Sequence, residues 1–263
     1  MMLHKYKLPL LAAIVGFMLL AGCQKNTLRT SETFLAEDKA YTKFYFLSPG
    51  TPAVMIKVND TKVNGSNTSG SAGIFPSTIL FPDYAATMPG GSIKMSLPNT
   101  GTSNDSIIIF TGTLPTVAKK FYSVTLADTG VDRTLFTIED IPETLPDSGF
   151  YKIRFINALG KSPNISIIRI DSASATSVSR DTVIRNVAFR SASAYITVPI
   201  SATRSFYRYR MIVTATGQPI GNNLIPTQGT AINQRYVTLY GGGFANGIVA
   251  PFLPSLYPLV FNK

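Results

Sequence analysis

An internal repeat restricts what this chain can fold into more than any other feature. Thr42 to Asp60 reads TKFYFLSPGTPAVMIKVND, and Ile153 to Asp171 reads IRFINALGKSPNISIIRID. Sliding one onto the other by 111 positions sets Lys43 on Arg154, Phe44 on Phe155, Pro52 on Pro163, Val54 on Ile165 and Ile56 on Ile167. Self-similarity of this kind means that one structural unit occurs twice. Each copy opens with a strand-like run, passes a Gly, Pro or Ser turn and enters a second run. The units also match near their ends. There Lys120–Leu126 (KFYSVTL) parallels Gln234–Leu239 (QRYVTL), each with a Tyr ahead of Val-Thr-Leu. Two units of about 100 residues have the size of β-sandwich domains.

Strand signals recur roughly every ten residues. In the first unit they are 44–47, 54–58, 93–97, 107–110, 122–126 and 135–138; in the second, 153–156, 165–170, 194–198, 207–213 and 236–240. Turns such as Pro89-Gly90-Gly91 and Asn99-Thr100-Gly101 separate them, and short strands so punctuated predict antiparallel sandwiches. Low charge (14%) and many β-branched and aromatic residues agree. The best helical candidate, Phe34 to Ala40 (FLAEDKA), is about one turn long. The expected fold is therefore all-β, with two tandem antiparallel β-sandwich domains of immunoglobulin-like build.

Ahead of the repeats lies a different signal. His4, Lys5 and Lys7 precede an uncharged apolar run, Leu8 to Leu20, that ends in Leu20-Ala21-Gly22-Cys23. A basic start, an apolar stretch of this length and small residues before a cut describe a secretory signal peptide. The run is too short to span a bilayer, which takes roughly 20 apolar residues. Its ending resembles the bacterial lipobox, in which Cys23, the chain's only cysteine, is acylated and becomes the first residue. Each buried CH₂ adds roughly 0.8 kcal/mol, and stable anchoring takes more than one chain, a condition that a triacylated Cys23 meets. Gln24 stands where an Asp would signal inner-membrane retention, so the expected location is the cell envelope, lipid-anchored at the outer membrane.

The expected organisation is a lipoprotein signal peptide (1–22), a tether (23–40), a first sandwich (41–140), a Pro-stiffened linker (141–149) and a second sandwich with an apolar tail (150–263). The tether spans roughly 60 Å when fully extended. In the tail, Ile248–Phe261 (IVAPFLPSLYPLVF), three prolines prohibit a regular helix or a central strand. They leave either an edge strand plus a tail laid over the second unit or the domain junction, or an exposed apolar stretch of the kind that marks partner sites.

Removing residues 1–22 takes away Lys5, Lys7 and the only His, so the formal charge falls from +10 to +8 in a chain without Trp. Without His there is no His-based triad and no usual general base. With Cys23 acylated there is no thiol nucleophile, no disulfide and no His or Cys zinc site. No cofactor is expected. The adjacent Glu139 and Asp140 would point to opposite faces of a strand, and Asp128, Asp132, Asp140 and Asp147 fall near turns, where Asp bonds its own backbone. No dense Asp-x-Asp-x-Asp run marks a calcium loop, and no glycine cluster, Gly241-Gly242-Gly243 included, opens a helix as a phosphate-binding loop would.

The most distinctive polar stretch is Arg204–Val213, RSFYRYRMIV. Alternation puts Arg204, Phe206, Arg208 and Arg210 on one face and Tyr207, Tyr209, Met211 and Val213 on the other. The second set reads as core. The first is either a solvated face or a basic platform for an anionic surface, which Arg180, Arg185 and Arg190 would extend. Asp105-Ser106-Ile107, Asp171-Ser172-Ala173 and Asp181-Thr182-Val183 resemble the D-(S/T)-apolar acceptor sites of O-glycans in some Gram-negative envelopes.

The openings of the repeats carry a family resemblance. Lys43-Phe44 followed by Ser48-Pro49-Gly50-Thr51-Pro52-Ala53-Val54 resembles an uncharacterised bacterial domain-of-unknown-function lipoprotein family. Tandem repeats of that family begin V-R-F-x-N-A-S-P-x-x-P-x-V. Ile153-Arg154-Phe155-Ile156-Asn157-Ala158 carries the first half of the pattern, and Ala118–Val124 resembles the closing A-G-K-x-Y-x-V strand. The second unit departs at Leu159-Gly160, where Ser-Pro is expected. The resemblance covers most of the mature chain. It implies an immunoglobulin-like or transthyretin-like sandwich and supplies no catalytic residues.

The functional expectation is a membrane-anchored envelope lipoprotein serving as a non-catalytic binding, adhesion or scaffold module. Its partners would be the membrane, through the lipid, and an anionic glycan or another envelope protein, with no nucleic acid. The alternative is a carboxylate-dependent polysaccharide hydrolase, which requires two facing carboxylates in a cleft, about 5 to 10 Å apart.

Overall fold

The computed structural model describes residues 36–46, 54–63, 84–98, 105–128, 132–141, 144–172, 178–200, 206–221, 225–228, 232–247 and 254–261. Cys23, the signal peptide, the tether up to residue 35 and Arg204 lie outside them. Every named element is a strand. The first repeat contains β1 (Ala40–Phe46), β2 (Met55–Val58), β3 (Thr61–Lys62), β4 (Ala85–Thr87), β5 (Ser92–Pro98), β6 (Asp105–Thr113), β7 (Phe121–Ala127) and β8 (Thr134–Glu139). The second contains β9 (Phe150–Asn157), β10 (Ile165–Ser172), β11 (Val178–Val187), β12 (Ser191–Ala192), β13 (Ile196–Pro199), β14 (Phe206–Val213), β15 (Ile225–Gln228), β16 (Tyr236–Gly242) and β17 (Ser255–Phe261). The described end of FLAEDKA is a turn running into β1.

Four sheets result. In the first repeat, β4-β1-β7-β8 packs against β3-β2-β5-β6; in the second, β12-β9-β16-β17, with β13 also on β9, packs against β11-β10-β14-β15. Alternation makes each sheet apolar on the side it buries. Phe44, Ile56, Val58, Ile93, Met95, Val124 and Leu126 fill the first core. Ile153, Phe155, Ile165, Ile167, Tyr207, Tyr209, Met211, Val237 and Leu239 fill the second. The chain thus forms two tandem β-sandwiches, and Glu37–Lys263 packs as one compact unit.

Among the named strands of the described residues, two pairings depart from the antiparallel rule, at equivalent places. The first strand of each repeat lies parallel to a late one, β1 beside β7 and β9 beside β16. Parallel neighbours need a long crossover, and here the intervening chain supplies it by building the opposite sheet. The registers also correct the equivalence of Tyr122 with Tyr236. Tyr122 stands opposite Thr42 and is buried in the first core. Tyr236 stands opposite Lys152, one position earlier in the ladder, and packs edge-on against Tyr195 at 5.3 Å. A slip of one residue turns a side chain to the other face.

The inner sheets of the two repeats meet face to face. Tyr45 and Tyr240, both buried, stack across this seam with ring centroids 4.3 Å apart. Ile156 and Ala158, from the second repeat, join the first core cluster. The C-terminal segment does supply an edge strand: among the described residues β17 pairs with β16 alone, with Pro258 opposite Leu239.

Candidate functional site

The seam is polar at its centre. Arg154 leaves β9 on the face opposite Phe155 and forms a buried ion pair with Asp140, the residue after β8. Its Nε donates to Thr238 Oγ1 at 3.1 Å, and its guanidinium lies 4.8 Å from the Tyr195 ring centroid. Ser123 donates to Asp140 at 2.8 Å, Tyr84 donates to the same carboxylate at 2.9 Å, and Tyr240 donates to Ser123 at 3.2 Å. Burial alone pushes the Arg154 guanidinium down, but the Asp140 carboxylate together with the Tyr195 and Tyr240 hydroxyls more than reverses this, and the guanidinium pKa ends above the ordinary arginine value. Burial, with Asp140 adding to it, likewise holds the Tyr84 hydroxyl well above its usual range. These charges are fully engaged with each other. The arrangement fixes one sandwich on the other and offers no free nucleophile or base.

Beside the seam is a cleft of about 480 Å³ lined by Asp128, Asp132, Arg133, Thr134, Lys161, Phe189 and Arg190. Three turns build it. The β7–β8 connection brings Asp128 and Asp132–Thr134, the β9–β10 connection brings Lys161, and the β11–β12 turn brings Phe189 and Arg190. Asp128, Lys161 and Arg190 all have left-handed backbone, with φ of 63°, 56° and 62°. Gly160 lets the turns close up, because a Cβ there would collide with Asp128 and the Phe244 ring. Burial raises the Asp128 carboxyl above the ordinary range, opposed by Arg190 and Lys161 and aided by Asp132. Sequence reasoning saw Asp128 and Asp132 only as turn residues.

The basic strand lies elsewhere, on the outer sheet of the second repeat. Arg208 is exposed and Arg210 half-buried on β14, while Tyr207, Tyr209 and Met211 are buried behind them. The ladder places Ile170 between Arg180 and Arg208, and Ile168 between Thr182 and Arg210. Phe206 belongs to β14, opposite Ser172 and Gln228. Arg180 extends this face and Arg185 is exposed on β11. Arg190 does not extend it: its turn carries it into the cleft. The first repeat has a counterpart that the sequence reading missed, since Lys57 stands opposite both Lys62 and Lys94 on its outer sheet. Only strand pairing brings these three lysines together; the one local signal was alternation within β2 and β5.

Among the described residues, no three His, Cys, Asp or Glu side chains gather around a cation site. No family model matches the chain, and no curated protein matches it. Solved structures resemble it weakly. One is from the family 41 carbohydrate-binding modules of streptococcal virulence factors, described for α-glucan recognition, at 11% identity over 83% of this chain and 96% of that one, with a TM-score of 0.25. A second is a multi-modular glycogen-degrading pneumococcal virulence factor, at 12% identity over 78% of this chain and 21% of that one, with a TM-score of 0.25. A third is a streptococcal virulence factor described for α-glucan binding, at 12% identity over 76% and 93%, with a TM-score of 0.24. Likenesses this slight leave the function to be argued from the chain's own residues.

Proposed function

We propose that this chain is a lipid-anchored protein of the cell envelope, held at the outer membrane through Cys23. It acts as a non-catalytic binding, adhesion or scaffold module for an anionic glycan or another envelope protein. The observation that carries the binding role is the row Arg180–Ile170–Arg208 on the outer sheet of the second repeat, continued by Arg210. Strands lie about 4.8 Å apart, so the flanking guanidinium stems rise roughly 10 Å apart with an aliphatic side chain between them. That spacing suits a surface of repeated negative charges joined by apolar ring or chain atoms. The lipobox at Leu20–Cys23 supports the anchor, and the repeat openings support membership of the tandem-repeat lipoprotein family.

Two measurements test this. Labelling with a fatty-acid probe gives a signal in the wild type that Cys23→Ala abolishes; an unlabelled chain removes the anchor. Salt-sensitive retention of isolated envelope material falls at least tenfold in Arg208→Glu; unchanged retention removes the basic face.

A second reading, a carboxylate-dependent polysaccharide hydrolase, draws on one observation. Asp128 and Asp132 line the same cleft, and the Asp128 carboxyl is held above its ordinary range, the condition a general acid needs. Reducing ends released from a polysaccharide by the wild type and lost in Asp132→Asn establish that reading. Intact polymer excludes it.

A further inference from the structure

We infer that the cleft between the two repeats is a binding site for one acidic sugar unit, a ring bearing a single carboxylate. This rests on the glycan reading above and gives it a second, more selective site. The volume of about 480 Å³ falls within the 300–1,000 Å³ of ordinary small-ligand pockets, which occur preferentially between domains. Both repeats contribute lining residues, so the site exists only when the seam is closed.

The charges point to the ligand class. Arg133, Lys161 and Arg190 supply three cations and Asp128 and Asp132 two carboxyl groups. With both ionised the lining carries one net positive charge, which complements a single negative charge. A carboxylate brings this lining to zero net charge, whereas a phosphate dianion would leave one negative charge uncompensated among the two carboxyl groups. The carboxylates in turn have a use with a sugar, since ionised Asp accepts hydrogen bonds from ring hydroxyls. Arg190 presents the planar fork that matches a carboxylate, steadied by Phe189, whose ring centroid lies 4.9 Å from the guanidinium carbon.

The backbone agrees. Lysine and arginine lack the short polar side chain that makes Asn and Asp tolerant of left-handed φ, yet Lys161 and Arg190 both adopt it here. Such conformations persist where surrounding structure over-determines them, as they also do at Lys119 and Gln234 ahead of β7 and β16. At Arg190 the determinant is visible: its N–H donates to Asn157 O at 2.8 Å, while Asn157 Nδ2 donates to Val187 O at 3.1 Å. The turn is pinned from both sides, and the side chain is delivered into the cleft.

The test is calorimetric titration of the full chain in detergent with tetragalacturonate, its methyl ester of equal length and a phosphorylated hexose. The acid binds, the ester binds at least tenfold more weakly, and the phosphorylated hexose binds more weakly than the acid. Arg190→Ala weakens the acid at least tenfold. If that variant melts early, Lys161→Gln, at an exposed side chain, replaces it with the same expectation. Equal binding of acid and ester, tighter binding of the phosphorylated hexose, no binding of the acid, or an acid affinity unmoved by both substitutions overturns the inference. Arg208→Glu separates the two claims. Acid binding that survives Arg208→Glu supports the cleft even if envelope retention proves independent of the basic face. Envelope retention lost in Arg208→Glu, with no acid bound by the wild type, overturns the cleft and leaves the proposed function standing.

Discussion

Arg154 and Arg169 are both largely buried, both paired with an aspartate and both laid against a tyrosine ring, yet they hold different things. Arg169 bonds Asp171, two residues along the same face of β10, at 2.9 Å, and also donates to Pro199 O at 2.9 Å and Tyr151 Oη at 3.4 Å. It lies 5.2 Å from the Tyr207 ring centroid. Every partner belongs to the second repeat, where backbone ladders already fix the strands. Arg154 reaches into the other repeat, to Asp140 and Ser123, and among the described residues no backbone ladder joins the two inner sheets. One pair decorates an arrangement that exists without it. The other helps to define how two sandwiches sit, at a seam where only side chains meet. Buried ion pairs are weak evidence for net stability, but removing one partner strands a charge. The two sites therefore differ most in what their loss would release.

The most severe test of this contrast is Asp140→Asn set beside Asp171→Asn. Asp140→Asn leaves the Arg154 cation uncompensated and should cost about 3–5 kcal/mol in urea unfolding, with the single transition broadening or splitting as the sandwiches uncouple. In Asp171→Asn the guanidinium is the less deeply buried of the two and keeps the backbone carbonyl of Pro199 at an exposed site, so the loss should be nearer about 1–3 kcal/mol with one transition retained. Equal losses and equal cooperativity would erase the distinction.

Alkaline pH loads both regions through their tyrosines. Burial raises the hydroxyls of Tyr45 and Tyr240 at the seam and of Tyr151 and Tyr209 in the second core. The folded state keeps protons that the unfolded chain releases near pH 10, so stability falls as pH rises above that value, by roughly 1.4 kcal/mol per tyrosine per pH unit until the folded pKa is reached. Absorbance at 295 nm should show these four titrating late and together with unfolding. Normal titration of any of them would show that its site is open to solvent.

A smaller effect is expected of Gly160→Ala, where the new methyl would press on Asp128 and the Phe244 ring. Overpacking of this kind costs about 1–3 kcal/mol. It should disturb the cleft while leaving tyrosine titration in the second core unchanged. Smallest of all is Arg208→Glu, an exposed position whose effect on the melting midpoint should correspond to no more than about 0.5 kcal/mol. A large stability loss there would mean that the outer face is structural.

Much of the fold was legible because alternation is local. The signals at 54–58, 122–126 and 207–213 became β2, β7 and β14; in β14 Tyr207, Tyr209 and Met211 are buried and Arg208 exposed as alternation put them, whereas β7 is buried on both faces. β11 was not legible. Its run VSRDTVIRNV spends Arg180, Asp181 and Arg185 on an edge, and charged edges blunt the apolar pattern that marks a strand. The seam was hidden for a different reason. Asp140 at a strand end reads as a turn carboxylate, and only the folded chain reveals that Arg154, Ser123 and Tyr84 converge on it. The cleft was the least legible, since no propensity rule anticipates lysine and arginine at left-handed φ on separate turns. Of the basic face, Arg208 and Arg210 followed from alternation alone, while Arg180 needed the ladder to bring it alongside.

The two parallel pairings have a kinetic consequence. Tyr41 finds its neighbour at Phe121, and Lys152 finds its own at Tyr236, so neither opening strand can dock until nearly all of its unit has emerged. Closures of that length must pay their loop entropy before any contact rewards it, which slows folding. Each unit completes its inner sheet only after its own late strands arrive, the first at β7 and the second at β16.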